Sequence, residues 1–351
     1  TDFHASPDDP TPREVGALAP PERVRHTLQR MVANRRTRSI HAPAEAINAL
    51  TVGCLHHDES GPFTPSLAQV DILPDNRFPS PITRHGPGFK RAIKPELLFP
   101  GGRILFKNGP AAFLDWKGGG APGVKVAAPS KDGRLDMASH SRGTSNAAAL
   151  ATNAAGRIGE LLLELGRDAS LPVPLDSHAV APVIKAMLVH GAQKMSLTDA
   201  FNSRMGDFRQ GGSTVKEFTS NFLGYGVPDI DRVLRCASNR ATVIGFGSIP
   251  KRIKDRETLH EYVLPLPFES LQGKSSLRRL TVTLAWLTPI SPRHKDYRQA
   301  KLEVQFDRKS EDFESDENNH NHIARGTVWH NVFEAETAGL FANIGPELRF
   351  K

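Results

Sequence analysis

Cysteine is nearly absent: the 351-residue chain has two, Cys54 and Cys236. Two thiols make no disulfide framework, and no Cys-x-x-Cys spacing offers a zinc site. Both are expected to be buried and inert, which fits a reducing compartment and slightly favours the cytoplasm. No run of about 18 apolar residues occurs, so no membrane-spanning helix is expected. A basic stripe interleaved with aromatics is also missing. The net charge of +7 is spread among acids. Its densest basic run, Arg35-Arg36-Thr37-Arg38, reads as a solvated loop or helix end, so neither nucleic acid nor membrane is expected as a partner. The glycines of Gly118–Gly123 precede no Gly-Lys-Ser or Gly-Lys-Thr and read as an ordinary turn, not a phosphate cradle. His320 and His322 sit in the acidic stretch 310–322, which reads as a surface loop. No cofactor and no metal are expected. A signal peptide is not visible, but the sequence begins Thr1-Asp2-Phe3 without an initiator Met, which gives that absence little weight.

What is present is an ordinary globular composition, with 38% hydrophobic and 24% charged residues and length enough for two domains. Residues 1–23 read as a loop, after which Val24, Leu28, Met31 and Val32 mark one face of a helix running to about Asn34. Ile47–Cys54 is a short apolar run that fits a buried strand. Residues 55–92 hold six prolines and read as loop, and Arg103–Asn108 is a strand candidate. Ser145 to Leu165 gives the strongest helical pattern, ended by Gly166. Leu150, Ala154, Ile158 and Leu162 form one stripe and Ala147, Ala151 and Ala155 another, so the helix is expected to be central, with close packing all round. A second helix is expected over Ala179–His190, and Gly224–Leu234 reads as a turn and a short helix. Beyond about residue 240 the period shortens to two. Strands are expected at 241–247, 261–267, 280–287, 300–306 and 326–333, with Trp286 sharing a core face with Leu280, Val282 and Leu284.

Ser145 stands where the polar stretch Asp136–Arg142 gives way, through Gly143 and Thr144, to the alanine-rich helix. A serine hydroxyl is a poor nucleophile unless a base takes its proton, and acyl transfer also needs donors aimed at the developing oxyanion. A serine in the first turn of a helix brings an unpaired amide and the positive end of the macrodipole. Two structural readings compete. In one, Ser145 simply caps the helix. In the other, Gly143-x-Ser145-x-Ala147 is a nucleophile elbow, which fails because Asp136–Arg142 is too polar to be the apolar strand that elbow needs.

The six residues Gly143-Thr144-Ser145-Asn146-Ala147-Ala148 resemble the serine motif of the subtilases, the subtilisin-like serine proteases. Three further segments follow the family's order: 42–54 (APAEAINALTVGC), 85–102 (HGPGFKRAIKPELLFPGG) and 222–234 (FLGYGVPDIDRVL). The resemblance covers roughly residues 40–235. It implies that Ser145 is the nucleophile, that its backbone N–H is one oxyanion donor, and that Gly143 and Thr144 set the geometry of the loop. Ala149 stands where the family commonly has proline, and Cys54 where alanine is common. The fold implied is α/β: the C-terminal part of a subtilisin-like three-layer parallel-sheet domain over 1–240, followed by an all-β, jelly-roll-like sandwich over 241–351.

The family's Asp, His and oxyanion Asn motifs precede its serine, and no counterpart is found here. His85-Gly86-Pro87 falls inside the second segment, His56 and His57 follow a strand into a loop, and His140 has no third residue to orient it. The expectation is therefore a serine endopeptidase portion that acts on protein or peptide substrates and takes its base, Asp and Asn from an N-terminal part of the same protease. Alone it should be inactive. The alternative is an inactive subtilase-fold fragment that serves as a binding or structural module.

Overall fold

A computed structural model describes residues 9–58, 60–74, 78–110, 113, 115–116, 120–128, 130–167, 178–205, 215–247, 261–265, 278–293, 297–305, 325–335 and 347–350. In chain order these form α1 (Pro12–Ala17), α2 (Pro20–Ala33), β1 (Val52–Leu55), β2 (Gln69–Val70), β3 (Leu97–Pro100), β4 (Phe106–Lys107), β5 (Val124–Ala127), β6 (Ala138–Ser141), α3 (Thr144–Arg167), α4 (Val180–His190), β7 (Ala192–Gln193), α5 (Met195–Met205), α6 (Val215–Leu223), β8 (Val227–Pro228), α7 (Ile230–Leu234), β9 (Tyr262–Pro265), β10 (Arg278–Ala285), β11 (Val328–Ala335) and β12 (Glu347–Phe350). They divide into two compact units, Thr1–Arg157 with Ala192–Asp229, and Ile158–Gly191 with Ile230–Lys351.

In the first unit, Thr11 and Glu14 close a capping box at the start of α1. The face predicted for α2 is the buried one: Val24, Leu28, Met31 and Val32 all lie in the core. That core gathers Ile72, Leu73, Phe78 and Phe106 from the loop-rich segments, and Leu197, Phe201 and Phe222 from α5 and α6. Each such side chain contributes roughly 1.5–3 kcal/mol when fully buried. Strand β1 pairs in parallel with β3, Val52 opposite Leu97 through Leu55 opposite Pro100. A parallel pair needs a long crossover, here residues 56–96. The buried strand expected over 47–54 is confined to the end of that run, Val52–Leu55. The strand expected over 103–108 is confined to Phe106–Lys107, antiparallel to β2.

Three expectations are corrected over residues 1–167. Arg38, read as solvated, is buried, with its guanidinium on the Pro81 carbonyl. Residues 1–23, read as a loop, contain α1 and the first turn of α2, while His56 lies in a loop as expected and is fully buried. Helix α3 begins at Thr144 and runs through Gly166 to Arg167. Its buried stripe is Ala147, Ala151, Ala154, Ile158 and Leu162, whereas Ala148, Ala149 and Leu150 are exposed, so it is not packed on all sides within the described residues. Alanine is favoured in helices whether it is buried or not, so an alanine-rich pattern reports helicity better than burial.

In the second unit, α4 packs on β10 and β11, which pair antiparallel with Leu280 opposite Phe333 and Leu284 opposite Trp329. Successive residues Val328 to Phe333 are all buried, so both faces of β11 are covered. Trp286 is buried, as expected. Residues 280–285 are uniformly half-buried, so the alternation of their chemistry is not matched by alternating burial. Strand β9 pairs with β12. Residues 241–247 and 300–305, expected as strands, join no ladder with a described partner, because a period of two within one segment fixes no neighbour. Cys236, expected to be buried, is exposed. The stretch 310–322, with His320 and His322, lies outside the described residues.

His85 gives the first unit a pH dependence. Its ring lies 4.2 Å from the Phe222 ring, is almost wholly buried, and has no hydrogen-bond partner on either nitrogen among the described residues. Burial first, and then the positive charges of Arg38 and Arg84, hold its pKa down to about 3 from 6.5. Between those values the unfolded chain takes up a proton that the folded chain refuses, so stability is lost as pH falls through that window. On going from about pH 7 to about pH 4.5, the contribution lost is about 2 kcal/mol. Urea unfolding of the intact protein at the two pH values, compared with His85→Phe, should show a smaller acid loss in the variant by about that amount.

Candidate active site

Strand β6 delivers the serine. It pairs with β5, Val124 opposite Ser141, and leads through Arg142 and Gly143 into α3. Ser145 is the second residue of that helix and is exposed. Its hydroxyl makes no hydrogen bond among the described residues, so Ser145 is not the helix cap. Its amide lies in the first turn, where no intrahelical carbonyl reaches it and the helix dipole is positive.

Backbone fixes the serine loop. The Gly101 carbonyl accepts from the Gly143 amide at 2.8 Å and from Asn146 Nδ2 at 3.2 Å. Arg142 holds the other flank, donating from Nε to the Pro122 carbonyl at 2.7 Å and from Nη2 to the Gly120 carbonyl at 2.6 Å. Gly101 must be glycine because a Cβ there would overlap the Cys54 side chain, 2.9 Å from its Sγ. Gly102 has φ +93°, and its Cβ would lie 2.7 Å from the Ser141 carbonyl oxygen. Cys54, standing where the family commonly has alanine, is buried with its Sγ 3.0 Å from Thr83 Oγ1, and burial pushes its thiol pKa up.

Sequence reasoning missed what supports Gly101. Four successive amides of the turn after β3 are received by four successive residues, the last of β1 and the three that follow it. Gly101 N donates to the Leu55 carbonyl at 3.1 Å and Gly102 N to the His57 carbonyl at 2.8 Å. Arg103 N donates to Asp58 Oδ2 at 3.0 Å and Ile104 N to His56 Nδ1 at 3.4 Å. His56 Nε2 lies 3.0 Å from Asp71 Oδ1. Burial would raise the Asp71 pKa, but His56, the Leu73 amide and Arg103 together bring it below the usual carboxylate range. The only sequence signal was polar side chains, His56, His57 and Asp58, directly after an apolar strand.

The segments singled out in the sequence meet in this unit. Tyr225 N donates to the Glu96 carbonyl at 2.8 Å, Leu98 N to the Gly226 carbonyl at 2.9 Å, and Gly86 N to the Asn221 carbonyl at 2.8 Å. Glu96 N reaches the Thr51 carbonyl at 2.9 Å. The same 85–102 segment then supplies Gly101 to the serine loop. The histidines are elsewhere: His85 is in the core, His56 is committed to Asp71 and Ile104, and His140 lies on β6 opposite Lys125. No described histidine is hydrogen-bonded to Ser145. Among the described residues, no group of three or more His, Cys, Asp or Glu is placed to hold a metal, and no helix is long and apolar enough to cross a membrane. Replacing Gly102 by Ala should cost about 2 kcal/mol, from the positive φ together with the approach to Ser141. Urea unfolding of the intact variant measures it.

The subtilase family profile matches residues 31–221, more than half of the chain. An uncharacterized protein, y4bN, of Sinorhizobium fredii (strain NBRC 101917 / NGR234) is 26% identical over 257 residues, which is 73% of this chain and 52% of that protein. The chain thus spans about half the length of the curated relative it matches. No solved structure matches. With the family's segments in order along the sequence and joined around one serine loop, the chain belongs to the subtilase family.

Proposed function

We propose that this chain carries the nucleophile of a subtilisin-like serine endopeptidase, with Ser145 forming the acyl-enzyme. The observation that carries the reading is the state of Ser145: exposed, with an uncommitted hydroxyl, on a loop whose backbone is anchored on both flanks. Ser145 Oγ attacks the scissile carbonyl of a protein or peptide substrate. A histidine, oriented by an aspartate, takes the hydroxyl proton and passes it to the leaving amine, and water then releases the acyl group. The Ser145 amide is one oxyanion donor and an asparagine the other. Gly143 and Thr144 shape the loop. The histidine, aspartate and asparagine come from an N-terminal part of the same protease. Residues 1–240 form the catalytic portion and 241–351 a β-sandwich, a reading supported by the antiparallel β9–β12 and β10–β11 pairs and the burial of Trp286 and Trp329.

A second reading, a subtilase fold that binds without cleaving, is favoured by the lack of any described histidine bonded to Ser145. Fluorophosphonate labelling of the intact protein separates the two, since a primed serine reacts and an inert one does not. In the intact protein, Ser145→Ala should abolish labelling and reduce peptide hydrolysis by roughly 10⁴-fold or more. Retention of most activity would remove Ser145 from the mechanism. The 351 residues alone should hydrolyse no peptide, and activity should return when the N-terminal segment is added as a separate polypeptide. Activity of the 351 residues alone, dependent on His140 or His85, would place the base within this chain.

A further inference from the structure

The buried His56–Asp71 pair lies outside the proposed chemistry, yet it is tied to the serine through a short chain of hydrogen bonds. The amide of Ile104 is a donor, so His56 Nδ1, which receives it, must be bare of hydrogen. The imidazole hydrogen is then on Nε2 and is donated to Asp71 Oδ1. Asp71 is held in turn by the Leu73 amide at 3.0 Å, with Arg103 Nε 3.9 Å from its other oxygen. Arg23 of α2 reaches the Asp71 main-chain carbonyl at 3.0 Å, and Asp58 is taken by the Arg103 amide and by Ser60. Both imidazole nitrogens therefore have a partner, and the arrangement accommodates one tautomer.

We infer that His56 is a positioning residue for Ser145. By accepting the Ile104 amide it holds the 101–104 turn in the register that presents the Gly101 carbonyl to Gly143 and Asn146. Without an acceptor at that place the buried Ile104 amide would be left unsatisfied, and the end of the turn would be released. The loosened Gly101 carbonyl would then hold the serine loop less firmly. Small misplacements of a nucleophile reduce rate steeply, because the productive geometry is narrow. The inference rests on the reading of Ser145 as nucleophile for its catalytic consequence, but not for the clamp itself.

Two substitutions in the intact protein test it. His56→Ala removes both hydrogen bonds. His56→Gln keeps one acceptor and one donor. At neutral pH, His56→Ala should lower kcat and the fluorophosphonate labelling rate by about tenfold or more with KM changed less than about twofold, and His56→Gln should restore both rates to within about threefold of the parent. Hydrogen exchange reads the clamp without reference to activity. At neutral pH, protection of the Gly102, Ile104 and Gly143 amides should fall about tenfold in His56→Ala and return to within about threefold of the parent in His56→Gln. Protection in His56→Ala equal to the parent's would overturn the inference, as would full labelling of His56→Ala. If the exchange behaves as expected but Ser145→Ala stays active, the clamp stands and its role in catalysis falls, which separates failure of this inference from failure of the nucleophile assignment.

Discussion

One carbonyl group governs the site. The Gly101 oxygen receives both the Gly143 amide and the Asn146 side chain, so the start of α3 hangs from the end of β3. A carbonyl has two lone pairs, and here both are used on one loop. The arrangement places strict demands on what lies behind it. Strand β3 must be in register with β1 so that Gly101 meets Leu55, and residues 101 and 102 must be glycine so that Cys54 and the Ser141 carbonyl can approach. A slip of one residue between β1 and β3 would turn every side chain to the opposite face and take the Gly101 carbonyl away from the serine loop.

The charged groups buried in the same unit specify this register more than they stabilise it. Lys94 and Glu96 are both buried, 2.6 Å apart. Lys94 also donates to the Ala49 carbonyl at 2.7 Å, and Glu96 accepts the Thr51 amide at 2.7 Å. A buried ion pair often breaks even against an apolar replacement, because desolvation cancels most of its attraction. What it penalises strongly is a wrong partner. Lys94 and Glu96 bind the 49–51 segment at the entry to β1, and the Glu96 backbone receives Tyr225, so three distant stretches are placed together by groups that tolerate no substitute geometry. Burial and the nearby Glu96 charge both raise the Tyr225 phenol pKa, which keeps that end of the assembly neutral.

What was legible in the sequence follows the physical origin of each feature. Periodic burial left a clear trace: α2 with its buried face and the helix at Val180–His190 appear where the pattern put them, and the apolar run at 47–54 holds β1 only at its end, Val52–Leu55. The serine loop was legible as a sequence motif. The support beneath it was not, because it consists of main-chain bonds between residues about 45 apart in sequence and of a histidine whose role depends on its neighbours. His56 and His85 look alike as residues in a loop-rich segment, yet one is fully hydrogen-bonded and the other has no bonded ring nitrogen among the described residues. Beyond residue 240, alternating chemistry located β10 and β11 but also marked 241–247 and 300–305, which join no described ladder. Alternation is a property of one strand, whereas a sheet is a property of pairs.

The way Ser145 is held separates position from reactivity. Its backbone is fixed on both sides, by Gly101 and by the contacts of Arg142 to the 120–122 segment, while its side chain is bound to nothing described. A structural serine shows the reverse, a hydroxyl satisfied by a nearby backbone group and no special demand on the loop around it. Rigid placement of an unsatisfied, exposed hydroxyl gains no stability from the hydroxyl, and it demands glycines and a buried polar clamp in return. Such an arrangement is intelligible if the hydroxyl is meant to be engaged from its open side. On the proposed reading this chain supplies position, and proton transfer belongs to the group that meets Ser145 there.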